Sequence, residues 1–122
     1  MQAVALGPVT ILEVETERRD GVVRIALKGE LDLSTTGKVE SELRRAEASA
    51  EPLVVLDLAG LTFLDSTGLR MIVAADKRAR EAGRRLAIVR GPGPVQRVFT
   101  VTKLDERLEM VDDLSALRSD QA

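Results

Sequence analysis

The stretch that decides the fold is Leu53–Leu69, which reads LVVLDLAGLTFLDSTGL. It opens with an apolar run that contains one acid, Leu53–Leu58, and this pattern predicts a central strand buried on both faces. Asp65 or Ser66 then opens an amphipathic helix. The stretch therefore predicts a junction between a buried strand and a helix, with a hydroxyl group at the junction.

Two alternating runs upstream of this stretch predict an antiparallel hairpin. Apolar and polar residues alternate in Thr10–Thr16 and again in Val23–Lys28, with Asp20-Gly21 between the runs. Asp-Gly favours the positive φ angles of a tight hairpin turn. A helix follows, with Ser34 as its predicted N-cap and Glu51-Pro52 as its end. Its predicted buried face consists of Val39, Leu43 and Ala46.

Strands and helices alternate again downstream of the junction. The first is a helix with Leu69, Ile72, Val73 and Ala79 toward the core and Gly83 after its end. A strand at Leu86–Val89 and a rigid turn at Gly91–Pro94 lead to another helix, with Val95, Val98 and Phe99 inside. A short strand at Leu108–Val111 and a terminal helical turn at Leu114–Arg118 complete the order. This order predicts an α/β fold: a mixed, mostly parallel sheet with an N-terminal antiparallel hairpin and packed helices. We expect one domain over residues 1–122, with its core at about 10–117.

The composition excludes several classes of function. The chain has no Cys and no His, which removes disulfides, zinc sites with sulfur or nitrogen ligands, and the usual general base at neutral pH. It has no Trp or Tyr, two Phe and a net charge of −2, a composition that disfavours nucleic-acid binding. Apolar runs such as Leu53–Leu56 are far too short for a membrane span, and Met1–Pro8 lacks the pattern of a secretion signal. We therefore expect a cytoplasmic, non-enzymatic protein without metal, cofactor or membrane insertion.

Ser66 has two interpretations at this level. As a helix N-cap it would contribute about 1 kcal/mol to stability. As a nucleophile it would need a base, and without histidine no Ser-His-Asp triad can form. Phosphorylation by a separate kinase needs no base from this chain, and a helix N-terminus accommodates a phosphate. Capping and phosphorylation both remain open from the residues alone.

Other polar groups are weaker candidates. Asp57 resembles the phosphoacceptor of a two-component receiver, but no acidic pair follows the first strand, so a hydrogen bond to a neighbouring loop is favoured. Asp32 follows the second strand, and in a parallel sheet the loops after Leu31 and Leu58 would open at one edge and bring it near Ser66. Met71 is expected to project away from the core stripe, or else to pack inside.

A basic stretch in the second helix and beyond it is interpreted as a solvated helix face, with an acidic partner as the alternative. Its residues are Lys77, Arg78, Arg80, Arg84 and Arg85. Gly91–Pro94 is a rigid turn rather than a phosphate-binding loop, because proline removes N–H donors.

Three motifs resemble those of STAS domains, in order and spacing. They are Gly29–Asp32 (GELD), Val54–Leu58 (VVLDL) and Phe63–Leu69 (FLDSTGL), and the likeness extends over roughly Thr10 to Leu117. It is strongest to bacterial anti-sigma-factor antagonists. One departure is Thr102-Lys103-Leu104, where members often have Thr-Gly-Leu; lysine adopts a left-handed conformation less readily than glycine, so this turn is expected to differ.

The resemblance implies a function. Such antagonists bind an anti-sigma factor that is also a GHKL-type serine kinase, phosphorylation of the serine matching Ser66 ends the binding, and a serine phosphatase restores it. The partner-binding residues expected around Ser66 are Asp32, Asp65, Thr67, Gly68, Leu69 and Met71. The alternatives are a non-switching STAS scaffold or accessory subunit of a signalling complex or lipid transporter, in which Ser66 is only a cap, and a nucleotide-binding domain or small hydrolase.

Overall fold

The computed structural model describes residues 11–49 and 51–121. Their elements, in chain order, are β1 (Leu12–Arg19), β2 (Val22–Leu31), α1 (Thr36–Ala48), β3 (Leu53–Leu64), α2 (Ser66–Glu81), β4 (Arg85–Val89), α3 (Gly93–Val101), a one-turn 3-10 helix (Leu104–Glu106), β5 (Glu109–Val111) and α4 (Leu114–Gln121).

The five strands of the described residues form one sheet in the order β1-β2-β3-β4-β5. β1 and β2 are antiparallel, and every other neighbouring pair is parallel. Asp20 and Gly21 join β1 to β2 with φ angles of 54° and 81°, as an Asp-Gly hairpin turn requires. The predicted α/β fold with a mixed sheet is thus confirmed, whereas the domain limits at residues 1 and 122 lie outside the described residues.

The two faces of the sheet are covered unequally. Helices α1, α2 and α3 pack on one face, where the buried residues include Leu56, Ile72 and Phe99. Leu117 of α4 packs on the opposite face against Val55 and strand β4. Because helices lie over both faces of β3, its first half is apolar at successive positions rather than alternating.

The structure corrects several predicted boundaries. β3 continues past Leu58 to Leu64, so only Asp65 separates the strand from helix α2. Ser34 is not the N-cap of α1: Thr35 occupies that position, and its buried hydroxyl donates to the Glu30 carbonyl at 2.9 Å instead of capping the helix. Helix α1 also ends earlier than predicted, at Ala48.

The turn after α3 keeps a left-handed residue although it lacks glycine. Lys103 has φ 62° and ψ 18° and precedes the 3-10 helix. A lysine thus adopts the conformation that glycine takes more readily, at the cost of backbone strain, and the expected difference from other members stays a prediction.

Candidate functional site

Strands β2 and β3 end side by side, and this shared edge positions the site. Leu31 is the register partner of Leu64, so the loop that follows β2 starts next to helix α2. The Asp65 N–H donates to the Leu31 carbonyl at 3.2 Å, and the Leu33 N–H donates to Asp65 Oδ2 at 3.2 Å. The loop of Asp32 is thus tied to the residue before Ser66, which confirms the expected proximity of the two loops, although the relevant strand end is Leu64.

Asp65, not Ser66, caps helix α2. Its Oδ1 accepts a hydrogen bond from the Gly68 N–H at 2.9 Å, while Ser66 is the first residue inside the helix. The Ser66 side chain is exposed, and its hydroxyl has no hydrogen-bond partner among the described residues. The interpretation of Ser66 as the cap is therefore wrong. Its hydroxyl makes no structural hydrogen bond within the described part of the chain.

Gly68 brings the first turn of α2 close to the sheet. A Cβ built on it would lie 2.8 Å from both Leu31 Cγ and Leu64 Cδ1, distances at which atoms must shift. Only a residue without a side chain fits this contact without rearrangement. Gly68 thus fixes how far the helix, and Ser66 with it, stands from the strand ends.

Asp32 organises the neighbouring loop through several hydrogen bonds. Its Oδ1 accepts from the Ser34 N–H at 2.9 Å and from the Ser34 hydroxyl at 2.7 Å. The hydrogen bond from the Ser34 hydroxyl is the main reason that the pKa of Asp32 is lowered. The Ser34 N–H and the hydroxyl and N–H of Thr35 lower this pKa further. Asp32 is therefore a carboxylate at neutral pH, held at the rim of the Ser66 site.

The other predicted partner-binding residues are divided between surface and core. Thr67 and Leu69 are half-buried, and Leu69 also packs against the core. Met71 retains only 7% exposure, so its expected exposure is wrong and the alternative of packing inside holds. The reason is that Gly68 turns its own face of α2 toward the sheet, which brings Met71, Ile72 and Ala75 inward.

Two exposed apolar residues at this edge were missed by the sequence analysis. Leu33, between Asp32 and Ser34, is 76% exposed, and Phe63, near the end of β3, is 47% exposed. Both are large apolar side chains in a chain that buries most of its others. A leucine inside a polar loop was the available signal for Leu33, while Phe63 was concealed within an apolar run.

Asp57 has a structural environment rather than that of a receiver phosphoacceptor. Arg24 donates to its Oδ2 through Nη2 at 2.7 Å and through Nε at 3.2 Å, and its Oδ1 accepts from the Ala59 N–H at 2.9 Å. The hydrogen bond to Asp57 is the main cause of a raised pKa of Arg24. Within residues 11–49 and 51–121, no group of three acidic or other ligating side chains is placed to hold a metal ion.

The basic stretch is largely engaged by the protein itself. Arg78 donates to Glu47 at 2.8 Å and to Glu40 at 3.3 Å, which joins α2 to α1. Arg84 donates to the Ala46 carbonyl at 3.1 Å. Lys77 is exposed. These contacts favour the predicted solvated helix face over an acidic partner.

Comparisons with known proteins identify the family of this fold. The STAS domain family matches residues 13–117. The chain belongs to the STAS domain family. An anti-sigma F factor antagonist of Paenibacillus polymyxa is 30% identical over 103 residues, which cover 84% of this chain and 88% of that protein.

Solved structures support the same assignment of the STAS fold. The crystal structure of an anti-sigma factor antagonist from Mycobacterium paratuberculosis has a TM-score of 0.81 and 26% identity, and the match covers 94% of this chain and 97% of that one. The anti-sigma factor antagonist SpoIIAA in its unphosphorylated form has a TM-score of 0.75 at 19% identity, covers 89% and 96% of the two chains, and supports the fold alone. In the part of this STAS chain that the structure describes, no helix has the length and hydropathy of a membrane span.

Proposed function

We propose that this STAS protein is an anti-sigma-factor antagonist that binds an anti-sigma factor with GHKL-type serine kinase activity and is switched off by phosphorylation of Ser66. The observation that carries the proposal is that two different residues at the start of α2 provide the helix cap and the exposed hydroxyl. Asp65 makes the capping hydrogen bond, while the neighbouring Ser66 hydroxyl is exposed and has no partner in the described residues. The relatives are named anti-sigma factor antagonists, which supports the antagonist part of the proposal.

The proposed reaction uses the chain only as a phosphoryl acceptor. Ser66 Oγ attacks the γ-phosphorus of ATP held by the kinase, the bond from that phosphorus to the β,γ-bridging oxygen breaks, and ADP leaves with the electron pair. A base of the kinase takes the hydroxyl proton, since this chain has no histidine. A serine phosphatase reverses the modification by hydrolysis, which releases inorganic phosphate and restores the Ser66 hydroxyl.

The switch follows from where the charge is added. A phosphate contributes about −1.5 to −2 charges at pH 7. The Asp65 and Asp32 carboxylates already lie at this edge, so the modified edge becomes strongly negative. If an unpaired charge is buried in a docked interface at a cost of about 3–4 kcal/mol, affinity falls a hundredfold or more.

The proposed partner-binding surface keeps four of the residues expected from the sequence and gains two. Asp32, Asp65, Thr67 and Leu69 surround the acceptor, and the exposed side chains of Leu33 and Phe63 add apolar area at the same edge. Buried Gly68 contributes by setting the height of the helix, and Met71 belongs to the core. Aromatic and large aliphatic side chains supply much of the energy of protein interfaces.

Capture of the kinase from the native cell and a matched pair of variants test the proposal. The unmodified chain serves as bait, the captured proteins are identified by mass spectrometry, and the affinity of the purified partner is measured by calorimetry. We expect Ser66→Asp to weaken binding and Ser41→Asp, which adds the same charge to an exposed position of α1, to leave it unchanged. Equal affinities of the wild type and Ser66→Asp would remove the support for a switch at this position.

A further inference from the structure

We propose that Arg70 is the built-in counter-ion of the phosphate on Ser66. This inference rests on the proposed function, because it concerns the modified form of the same residue. Both residues are in α2, four positions apart, and both side chains are exposed. Residues at this spacing are neighbours on one helix face, with Cβ atoms about 5–6 Å apart. An arginine one turn after a phosphoserine is thus placed to bind its oxygens.

Arg70 is available for this pairing. The two arginines farther along α2 are engaged, Arg78 with Glu47 at 2.8 Å and Arg80 with Asp76 at 2.8 Å. Arg70, in contrast, has no ion pair or side-chain hydrogen bond with any other described residue. Its guanidinium can therefore turn toward Ser66 without breaking a hydrogen bond or an ion pair within the described residues.

The two acids at this edge, Asp65 and Asp32, already accept hydrogen bonds from the backbone, so their oxygens are only partly free to bind the Arg70 guanidinium. Asp65 accepts from the N–H groups of Gly68 and Leu33, and Asp32 accepts from Ser34. The pKa of Asp32 is lowered, so its carboxylate repels a phosphate and increases the need for a cation beside it. Arg70 lies on the same helix face as Ser66 and can supply that cation.

The pairing has two consequences. A guanidinium can donate two parallel N–H groups to phosphate oxygens, and this contact favours the doubly charged form of the phosphate. The second phosphate pKa, ordinarily about 6, is therefore lowered, and the dianion is held at neutral pH. Phosphorylation also draws the exposed Arg70 guanidinium toward position 66, while the net charge of the surface still falls by about 1.5 to 2.

Phosphoserine placed at position 66 by an expanded genetic code gives a direct test on the full chain. Phosphorus NMR follows the second phosphate pKa at low ionic strength in the otherwise unaltered chain, in Arg70→Gln, in Arg70→Lys and in Lys77→Gln. Lys77→Gln is the matched control, because it removes an exposed cation of the same helix about three turns away. Circular dichroism verifies that each variant is folded.

We expect Arg70→Gln to raise the phosphate pKa by about 0.3, the size that corresponds to a helical ion pair at this spacing. Arg70→Lys should recover at least part of the lowering, and Lys77→Gln should leave the pKa unchanged. An Arg70→Gln pKa equal to that of the parent, or equal effects of Arg70→Gln and Lys77→Gln, would overturn the proposal.

A second measurement does not depend on titration. The Nε–Hε resonance of Arg70 should move when phosphoserine replaces serine at position 66, whereas an unchanged resonance contradicts direct pairing. Because the phosphate is installed without a kinase, these results concern Arg70 alone. Failure of the kinase to modify Ser66 would instead overturn the proposed function.

Discussion

Replacement of Gly68 by alanine probes how the helix that carries Ser66 rests on the sheet. The added Cβ would lie 2.8 Å from Leu31 Cγ and 2.8 Å from Leu64 Cδ1, both on buried side chains. Overpacking of this kind costs about 1–3 kcal/mol. Alanine returns up to about 1 kcal/mol through its higher helix propensity. We therefore expect the free energy of unfolding to fall by about 1 kcal/mol, with the larger loss if the two leucines cannot move.

A second glycine provides the matched control for this substitution. Gly37 lies in the first turn of α1, and a Cβ there would have no atom within 4 Å. Gly37→Ala gains helix propensity without a clash, so its free energy of unfolding should rise by up to about 1 kcal/mol. Opposite signs for the two glycine-to-alanine changes are the signature of close packing at Gly68.

Urea unfolding followed by far-ultraviolet circular dichroism measures both variants, since the chain has no Trp or Tyr for a fluorescence assay. Midpoints at unchanged slope give the difference in stability. If Gly68→Ala were as stable as the wild type, or were stabilised as much as Gly37→Ala, the contact of α2 with Leu31 and Leu64 would not be the constraint inferred from the structure.

Three further predictions concern the cap, the loop and the strained turn. Asp65→Ala should lower the free energy of unfolding by about 1–2 kcal/mol, because the Gly68 and Leu33 N–H groups lose their acceptor; an unchanged urea midpoint would contradict Asp65 as the cap. Ser34→Ala should raise the pKa of Asp32 toward its ordinary value of about 3.9, measured by carbon NMR of the carboxyl group. The stability from that hydrogen bond is present above this pH and is lost as the pH falls through the lowered pKa, so the two proteins should converge in stability in acid. Lys103→Gly should raise the free energy of unfolding by about 0.5 kcal/mol, since φ 62° suits glycine; a lower midpoint would show that the lysine is not strained.

Local sequence signals predicted those parts of the fold that depend on local geometry. Asp20-Gly21 predicted the hairpin because few residue pairs accept two positive φ angles. Gly83 was predicted just beyond α2, and its φ of 71° fits that position. Strand alternation and buried runs likewise identified the sheet.

Errors arose where tertiary packing decides between similar local choices. Ser34 and Thr35 both suit a helix start, and the buried hydrogen bond from Thr35 to the Glu30 carbonyl selected one of them. The face of α2 was predicted from its large apolar residues, whereas the small Gly68 determines which face meets the sheet and so buries Met71. That role of Gly68 depends on Leu31 and Leu64 of the strands, which the sequence of the helix alone does not place.

The surroundings of Ser66 were predicted only in part. The context of Ser66 in Asp-Ser-Thr-Gly-Leu indicated a phosphoryl acceptor, and that assignment stays a prediction, but local capping preferences could not distinguish Asp65 from Ser66 as the helix cap. That distinction needs the loop after β2, because Asp65 also accepts from the Leu33 N–H. The exposure of Leu33 and Phe63 likewise depends on where the strands end in space.

Phosphosite mapping combined with one affinity comparison tests the central claim most directly. The chain is incubated with its captured kinase partner and ATP, and the modified residue is located by mass spectrometry. The affinities of the unmodified and modified chains for that partner are then compared in the presence of ADP, which does not support further phosphorylation. The proposed switch predicts one phosphoryl group on Ser66 and an affinity lowered about a hundredfold. Modification elsewhere with Ser66 untouched, or equal affinity of the two forms, would contradict it.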